Sequence, residues 1–132
     1  MNYLVDTHIL LWSLFSPRRV SRKVKGILSE SETIKFVSVI SIWEIAIKFS
    51  LGKLDLKGVL PDTLPAIVKS ARFEILDLNV ETAASFYRLP KIGNKDPFDR
   101  MLAWQAISYD YHLLTKDKDL SDYKDYGLEV IY

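Results

Sequence analysis

The sequence contains no cysteine, and glycine and proline occur only five times each among its 132 residues. Without cysteine the chain cannot form a disulfide scaffold or a cysteine-ligated zinc site. The sequence also lacks an uninterrupted apolar run of the roughly 20 residues that a membrane-spanning helix requires. No basic region precedes the first apolar stretch, so a signal peptide is not indicated. We therefore expect a cytoplasmic protein without a membrane segment.

An excess of charge of one sign is also missing, because 18 lysines and arginines accompany 17 aspartates and glutamates, and the formal net charge is +1. Binding of nucleic acid through bulk positive charge is therefore not indicated, and any such binding needs a local basic patch. Hydrophobic residues make up 48% of the chain, which argues against disorder. A folded chain of this length removes roughly two-thirds of its unfolded surface from water. The composition predicts one domain that spans residues 1–132.

Short apolar runs alternate along the chain with segments in which apolar residues recur at helical spacing. The apolar runs, which predict buried strands, are residues 3–5, 36–39, 73–76, 112–114 and 128–131. The predicted helices are residues 9–15, 21–30, 42–51, 60–71, 80–88 and 97–109. This alternation predicts an α/β fold, namely a three-layer α/β/α sandwich around a mostly parallel central sheet of four to five strands.

Acidic residues are found at the ends of several predicted strands. Asp6 directly follows the first strand, Glu44 lies in the first turn predicted after the second, and Asp117 follows the fourth. Asp96 and Asp99 open the helix that precedes the fourth strand. Ligands of open α/β sheets bind beyond the carboxyl ends of the strands, so we expect these carboxylates to converge there.

Each of these residues also has an ordinary structural explanation. Residues 41–44 fit a capping box, Asp96 before a proline fits a helix N-cap, and Thr115 fits the cap of a short helix. Lys48 is placed to form a helical ion pair with Glu44, four residues before it. The coincidence of several acids on one predicted edge favours a functional site over capping alone.

Carboxylates that share one edge of the sheet repel one another. Two unit charges about 4 Å apart interact by roughly 4 kcal/mol at an effective dielectric constant of 20. A cation among them relieves this cost, and oxygen ligands without cysteine or a histidine pair select a hard ion such as Mg²⁺ or Mn²⁺. Such an ion supports phosphoryl transfer, with basic side chains binding neighbouring phosphates. The basic candidates are Lys95, Arg100, Lys116 and Lys118, of which Arg100 beside Asp99 is the strongest.

Four motifs occur in order over nearly the whole chain. They are Val-Asp-Thr-His at 5–8, Ser-Ile-Trp-Glu-Ile-Ala-Ile-Lys at 41–48, Asp-Pro-Phe-Asp-Arg at 96–100 and Leu-Thr-Lys-Asp at 114–117. Together they resemble the motifs of the PIN-domain ribonucleases, and most closely those of VapC-type toxins of bacterial and archaeal toxin-antitoxin pairs. Many relatives carry His-Arg ahead of the third motif, where this chain has Asn94 and Lys95.

The resemblance implies a Mg²⁺- or Mn²⁺-dependent endoribonuclease that hydrolyses RNA phosphodiester bonds. The metal-binding and catalytic residues that it implies are Asp6, Glu44, Asp99 and Asp117. It gives Asp96 and Thr115 supporting roles, with the Thr115 hydroxyl orienting a carboxylate. It also implies an antitoxin whose segment covers the active-site groove, and a homodimer that forms a heterotetramer or larger assembly with the antitoxin.

Two other functions fit parts of the sequence. A Mg²⁺-binding receiver domain would use Asp77, after the third predicted strand, as a phosphoacceptor. Receivers, however, place adjacent acids after the first strand, where this chain has Asp6 followed by Thr7. A PIN fold that binds RNA or protein without cleaving it would require the loss of an acid, and all four are present. Which RNA is cleaved, the number of ions and the dimer surface stay open.

Three aromatic or imidazole side chains receive no functional role from the sequence. Trp12 is interpreted as a side chain that packs against the protein rather than as a platform on which a base stacks. His112 is interpreted as a core histidine, and His8 as a residue of a first helical turn.

Overall fold

Five short strands form a single sheet in which neighbouring strands all pair in parallel. The computed structural model describes residues 1–132. The strands are β1 (Asn2–Val5), β2 (Ile34–Ser38), β3 (Glu74–Leu76), β4 (His112–Leu114) and β5 (Glu129–Ile131). Their spatial order is β3-β2-β1-β4-β5. The prediction of an α/β fold around a parallel sheet is confirmed.

The strand order reverses between β1 and β4. From β1 the chain proceeds outward through β2 to β3, and then returns past β1 to β4. The backbone N–H of Asp6 donates to the carbonyl of Leu114 at 3.0 Å, so the ends of these two strands are joined. In open α/β sheets the crevice at such a reversal is where ligands bind.

Six α-helices connect and cover the strands. They are α1 (Thr7–Phe15), α2 (Arg22–Ser29), α3 (Val39–Ser50), α4 (Leu64–Ser70), α5 (Val80–Ser85) and α6 (Pro97–Tyr109). Four segments are 3-10 helical, namely Pro17–Arg19, Pro61–Thr63, Phe86–Arg88 and Lys118–Tyr126. None of the helices has both the length and the apolar character needed to span a bilayer.

Two predicted helices are shorter in the structure than in the sequence pattern. The helix predicted at 60–71 is a 3-10 turn at Pro61–Thr63 followed by α4, because the prolines at 61 and 65 lack the N–H that a helix interior needs. The helix predicted at 80–88 changes to a 3-10 turn after Ser85, whose hydroxyl donates to the carbonyl of Glu81 at 2.7 Å. The short helix for which Thr115 was considered as a cap is the 3-10 segment Lys118–Tyr126, and its N-cap is Asp117, whose side chain accepts from the N–H of Asp119 at 2.9 Å.

Helix α3 begins three residues earlier than predicted. Its N-cap is Ser38, whose hydroxyl accepts from the N–H of Ile40 at 3.0 Å. The capping box expected at 41–44 is therefore wrong, and Glu44 lies in the second turn of the helix rather than the first. Ser41 is instead buried, with its hydroxyl 2.9 Å from that of Thr7.

Side chains alternate between the two faces of the sheet, and each face has its own core. Tyr3 and Val5 pack with α1, α2 and α4 on one face, whereas Leu4 packs with α6 on the other. Helix α3 contributes Ile45 to the first core and Ile40 to the second. Helices thus cover both faces, which confirms the predicted three layers.

Candidate active site

Three acidic residues from distant parts of the chain line one cavity of about 500 Å³. They are Asp6 after β1, Asp99 in the first turn of α6 and Asp117 after β4. The cavity lies where the strand order reverses. Glu44, the fourth acid expected here, lines an adjoining cavity of about 460 Å³. The two cavities share His8, Trp12 and Arg19 in their walls.

Asp6 is almost fully buried and both of its oxygens accept hydrogen bonds. As the N-cap of α1, Oδ1 accepts from the N–H of Ile9 at 2.7 Å, and Oδ2 accepts from the hydroxyl of Thr115. Burial raises the pKa of Asp6 above its ordinary value, and the hydrogen bonds from Thr115 and Ile9 offset only part of that rise. The negative charge of Glu44 adds to the rise.

Thr115 links two of the acids through its hydroxyl. It donates to Asp6, and it accepts from the backbone N–H of Asp117 at 3.0 Å. Thr115 is itself buried, so these contacts are shielded from water. The hydrogen bond fixes one oxygen of Asp6, and the role in orienting a metal-binding carboxylate that the resemblance implies for Thr115 stays a prediction.

Asn94 joins Asp99 to Asp117. Its side-chain nitrogen donates to Oδ2 of Asp99 at 2.8 Å and to Oδ2 of Asp117. Its oxygen accepts from the backbone N–H of Asp96 at 2.7 Å, which fixes the orientation of the amide. The two carboxylate oxygens therefore face a common point that the amide nitrogen occupies.

The pKa of Asp99 is raised to about 6. Burial is the main cause, the hydrogen bond from Asn94 opposes it, and the charges of Asp96, Asp6 and Glu44 raise the pKa further. These carboxylates are thus close enough to repel one another, as expected from the sequence.

Glu44 is buried and held by one donor on each oxygen. The hydroxyl of Thr7 donates to Oε1 at 2.7 Å, and the ammonium of Lys48 pairs with Oε2. Burial alone would lower the pKa of Lys48, but the hydrogen bond and charge of Glu44 outweigh it, and the pKa is raised. The helical ion pair predicted between Lys48 and Glu44 is present, and it is the only ion pair within 4 Å in the chain.

Asp96 has the structural role that its sequence context predicts. It is the N-cap of α6, and its Oδ1 accepts from the N–H groups of Phe98 at 2.8 Å and Asp99 at 3.2 Å. Its side chain does not line the acidic cavity. Asp96 therefore acts on the site by fixing the first turn of α6 and through its charge.

The basic candidates separate into two groups. Lys116 and Lys118 line the acidic cavity, whereas Lys95 is exposed outside it. The phosphate-binding role expected for Arg100 is wrong, because its guanidinium is buried in the core beneath α6. Nη2 donates to the carbonyl of Leu89 at 3.0 Å, and Cζ lies 4.8 Å from the ring centre of Phe86.

No three acidic or histidine side chains are arranged as a complete metal-ligand set. Thr115, Asn94 and Lys48 each engage one or two of the carboxylates. The donor set nevertheless fits a hard divalent cation, because it consists of carboxylate oxygens whose mutual repulsion a cation relieves. Asp6, Asp99 and Asp117, with Glu44 beside them, are the residues that could hold Mg²⁺ or Mn²⁺.

The sequence model of the PIN domain matches residues 3–126. The chain belongs to the PIN domain family. Ribonuclease VapC22 of Mycobacterium tuberculosis is 25% identical to this PIN domain over 121 residues, which cover 92% of this chain and 91% of the relative. The resemblance drawn from the four sequence motifs is thereby confirmed.

Solved structures with the same fold include VapBC2 from Rickettsia felis bound to a promoter DNA fragment. Its matching chain has a TM-score of 0.69 and 19% identity, with 99% of this chain and 98% of that chain covered. FitAcB from Neisseria gonorrhoeae matches with a TM-score of 0.66 and 18% identity, covering 98% and 96%. A toxin-antitoxin complex from Klebsiella pneumoniae matches with a TM-score of 0.63 and 17% identity, covering 98% and 96%.

Several residues that shape the site of this PIN domain received no role in it from the sequence. They are Thr7, Trp12, Arg19 and Asn94. The sequence contained a signal for Thr7, since this residue follows Asp6 and is the first residue of α1 at the same strand end. Asn94 also had one, because an asparagine two residues before a helix N-cap often hydrogen-bonds the backbone there. The sequence around Arg19 contains no motif that would place this residue beside the acids.

Proposed function

We propose that this PIN domain is a metal-dependent endoribonuclease that hydrolyses RNA phosphodiester bonds and acts as the toxin of a toxin-antitoxin pair. The observation that carries the proposal is the cavity at the strand-order reversal, which Asp6, Asp99 and Asp117 line together. Family membership and the identity to a protein named a ribonuclease support RNA as the substrate.

The residues that would hold Mg²⁺ or Mn²⁺ are Asp6, Asp99, Asp117 and Glu44. When bound, such an ion orients a water, promotes its deprotonation and neutralises charge that develops on the phosphate and the leaving oxygen. Thr115 fixes one oxygen of Asp6 for this task through its buried hydroxyl. The chain thus contributes anionic oxygens whose positions are set by hydrogen bonds before substrate arrives.

Glu44 is proposed to join the ligand set after Lys48 releases it. The Lys48 side chain is 37% exposed, so its ammonium has room to move into solvent, while Glu44 itself is 2% exposed. Thr7 would keep the other oxygen of Glu44 fixed during this exchange. The charge of Glu44 already raises the pKa of Asp6 and Asp99, which supports its proximity to the cavity.

The proposed partner is a small antitoxin protein, and the proposed state of the toxin is a homodimer that assembles with it. The similar structure from Klebsiella pneumoniae is a toxin-antitoxin complex, which supports such a partner. The second cavity, beside the acids, combines apolar and basic walls and suits an antitoxin segment. Its apolar walls are Leu11, Trp12, Phe15, Ile45 and Leu54, and its lysines are Lys48, Lys53 and Lys57.

A receiver function is disfavoured by the position of Asp77. This residue is exposed at the end of β3, the edge strand, and β2 separates it from β1. Asp77 therefore does not share the cavity of Asp6. A phosphoacceptor of a receiver has to lie beside the metal-binding acids, so the site supports the nuclease.

A circular single-stranded RNA tests the proposed activity, since only an endonuclease can open a molecule without ends. We expect the purified chain to linearise the circle with Mg²⁺ or Mn²⁺ and to lose this activity in excess chelator. Asp99→Asn should abolish cleavage, whereas Asp62→Asn, at an exposed aspartate on the turn Pro61–Thr63, should cleave like the wild type. Cleavage that persists in chelator, or equally in Asp99→Asn, would contradict the proposal.

A further inference from the structure

Trp12 lines the acidic cavity, and two cations lie against its ring. The guanidinium carbon of Arg19 lies 4.5 Å from the ring centre, and the ammonium of Lys116 lies 5.6 Å from it. Both distances are within the range of cation–π attraction. All three side chains line the cavity that contains Asp6, Asp99 and Asp117.

Arg19 and Lys116 have no anionic partner in the chain. The pair of Lys48 with Glu44 is the only contact within 4 Å between a basic and an acidic side chain. Both cations are exposed, and they remain unpaired although they share a cavity with three carboxylates. The indole attracts a cation without neutralising it, so these charges stay available for an anion from solution.

The ligand that fits this arrangement is a phosphate within a polyanionic strand. A guanidinium binds phosphate through two parallel hydrogen bonds, and an ammonium adds a second charge. The occupied indole ring leaves less room for a stacked base, so the cluster suits the backbone rather than a nucleobase. The cluster should therefore increase the affinity for RNA and fix the position of the strand in the site, with little dependence on base sequence.

We propose that Arg19 and Lys116, held against Trp12, bind the RNA phosphate next to the one that the acidic residues cleave. This inference rests on the proposed nuclease function and adds a binding subsite to it. Arg19 and Lys116 contact the substrate in this account, and Trp12 is a positioning residue that acts through them.

The turn Pro17–Arg19 supplies a matched control. Arg18 and Arg19 are neighbours in the same 3-10 turn and both are exposed, but only Arg19 lines the two cavities. Arg18→Gln and Arg19→Gln therefore remove the same charge from nearly the same place. They differ in whether the lost group faces the site.

Binding is measured by fluorescence anisotropy with a labelled single-stranded oligoribonucleotide, with Ca²⁺ in place of Mg²⁺ and intactness of the RNA checked on a gel. One phosphate contact to a single strand contributes about 0.7 to the slope of log K against log salt concentration. We expect Arg19→Gln to flatten the slope by about this amount and to weaken binding about fivefold at 0.1 M salt. Arg18→Gln should keep the wild-type slope.

Trp12 is tested by two substitutions. Trp12→Phe retains an aromatic face and should retain most of the affinity, whereas Trp12→Leu should approach the affinity and slope of Arg19→Gln. A merely structural role of Trp12 would lower the melting temperature in both variants without changing the slope. Equal slopes for Arg18→Gln and Arg19→Gln, or absence of RNA binding by the wild type, would overturn the inference.

Cleavage kinetics separate this inference from the proposed function. If both hold, Arg19→Gln raises KM more than it lowers kcat, because the lost contact is made in the ground state as well. If the wild type cleaves and Arg19→Gln has the same KM, the subsite is wrong and the nuclease stands. If the wild type cleaves no RNA, the nuclease is wrong, and the binding slopes still decide whether Arg19 and Lys116 bind an RNA phosphate.

Discussion

Asp6 caps a helix and also lines the acidic cavity, and these two contributions can be separated by one substitution. Its Oδ1 accepts from the first turn of α1, while its carboxylate is buried beside other acids. An amide keeps the size and the capping oxygen but removes the negative charge. Asparagine caps a helix about as well as aspartate.

The first prediction therefore concerns Asp6→Asn. We expect the metal-free variant to melt at or above the wild-type temperature, because a buried, repelled charge is removed while the cap is kept. RNA cleavage should fall by about 100-fold or more, because the anionic ligand oxygen is lost. Thermal melting in chelator and a cleavage assay measure the two effects on one preparation.

Ser21→Ala is the capping control. The Ser21 hydroxyl caps α2 by accepting from the N–H of Val24 at 3.1 Å, away from the cavity. Its loss should cost about 1 kcal/mol of stability and leave cleavage unchanged. If Asp6→Asn behaved like this control, with a lower melting temperature and normal cleavage, Asp6 would be a cap and nothing more.

The second prediction follows from the pKa of Asp99, which is about 6 in the folded chain against an ordinary 3.8. Folding therefore favours the protonated carboxyl, and this stabilisation is complete below pH 3.8 and is lost as the pH rises through 6. The metal-free wild type should lose stability relative to Asp99→Asn between about pH 4 and pH 6. Melting temperatures of both proteins across this window give the difference.

A divalent ion should reverse this effect, since binding requires the ionised carboxylate. Mg²⁺ is expected to raise the melting temperature more at pH 7 than at pH 5. A difference in melting temperature between the metal-free wild type and Asp99→Asn that stays constant from pH 4 to pH 6 would contradict the assignment of this pH dependence to Asp99.

Among the helices, α3 has an N-cap that could not be identified from the local sequence. Ser38 and Ser41 both stand ahead of apolar residues and both suit a cap. The choice is made by a distant contact, because the Ser38 hydroxyl also donates to Oε1 of Gln105 on α6 at 2.5 Å. Since Gln105 is 67 positions away, no local pattern could have identified this cap.

The third prediction compares the two serines. Ser38→Ala removes the cap of α3 and leaves the buried Gln105 oxygen without this donor, so it should cost about 1 to 3 kcal/mol. Ser41→Ala should cost less, because Thr7 still donates to Glu44 without it. Urea unfolding of both variants provides the comparison, and a larger loss for Ser41→Ala would favour the capping box at 41–44.

Arg100 shows how helix geometry bears on a candidate residue. Consecutive residues of an α-helix point about 100° apart, so the side chains of Asp99 and Arg100 leave α6 in different directions. Asp99 lines the cavity, and Arg100 points into the core towards Leu89 and Phe86. The direction of Arg100 is decided by these tertiary contacts, which the sequence around it does not show.

At the scale of the whole molecule, alternating strands and helices were sufficient to predict a parallel sheet and the edge where acids gather. The reversal between β1 and β4 brings Asp6 and Asp117 together across more than 100 intervening positions. Among the donors that hold the acids, Lys48 follows from helical spacing and Thr115 from the family resemblance. Thr7 and Asn94 were missed, because their contacts depend on packing between distant segments. Thr7, for example, contacts Glu44 from 37 positions away.

Carboxylates from three distant segments are proposed to share one divalent ion. An anomalous difference map from crystals soaked in Mn²⁺, recorded above the manganese absorption edge, shows whether they do. We predict one strong peak among the carboxylate oxygens of Asp6, Asp99 and Asp117, with the Asn94 amide displaced, and no such peak in Asp99→Asn. A wild-type map without a peak in this cavity, or with manganese bound only elsewhere, would contradict the account.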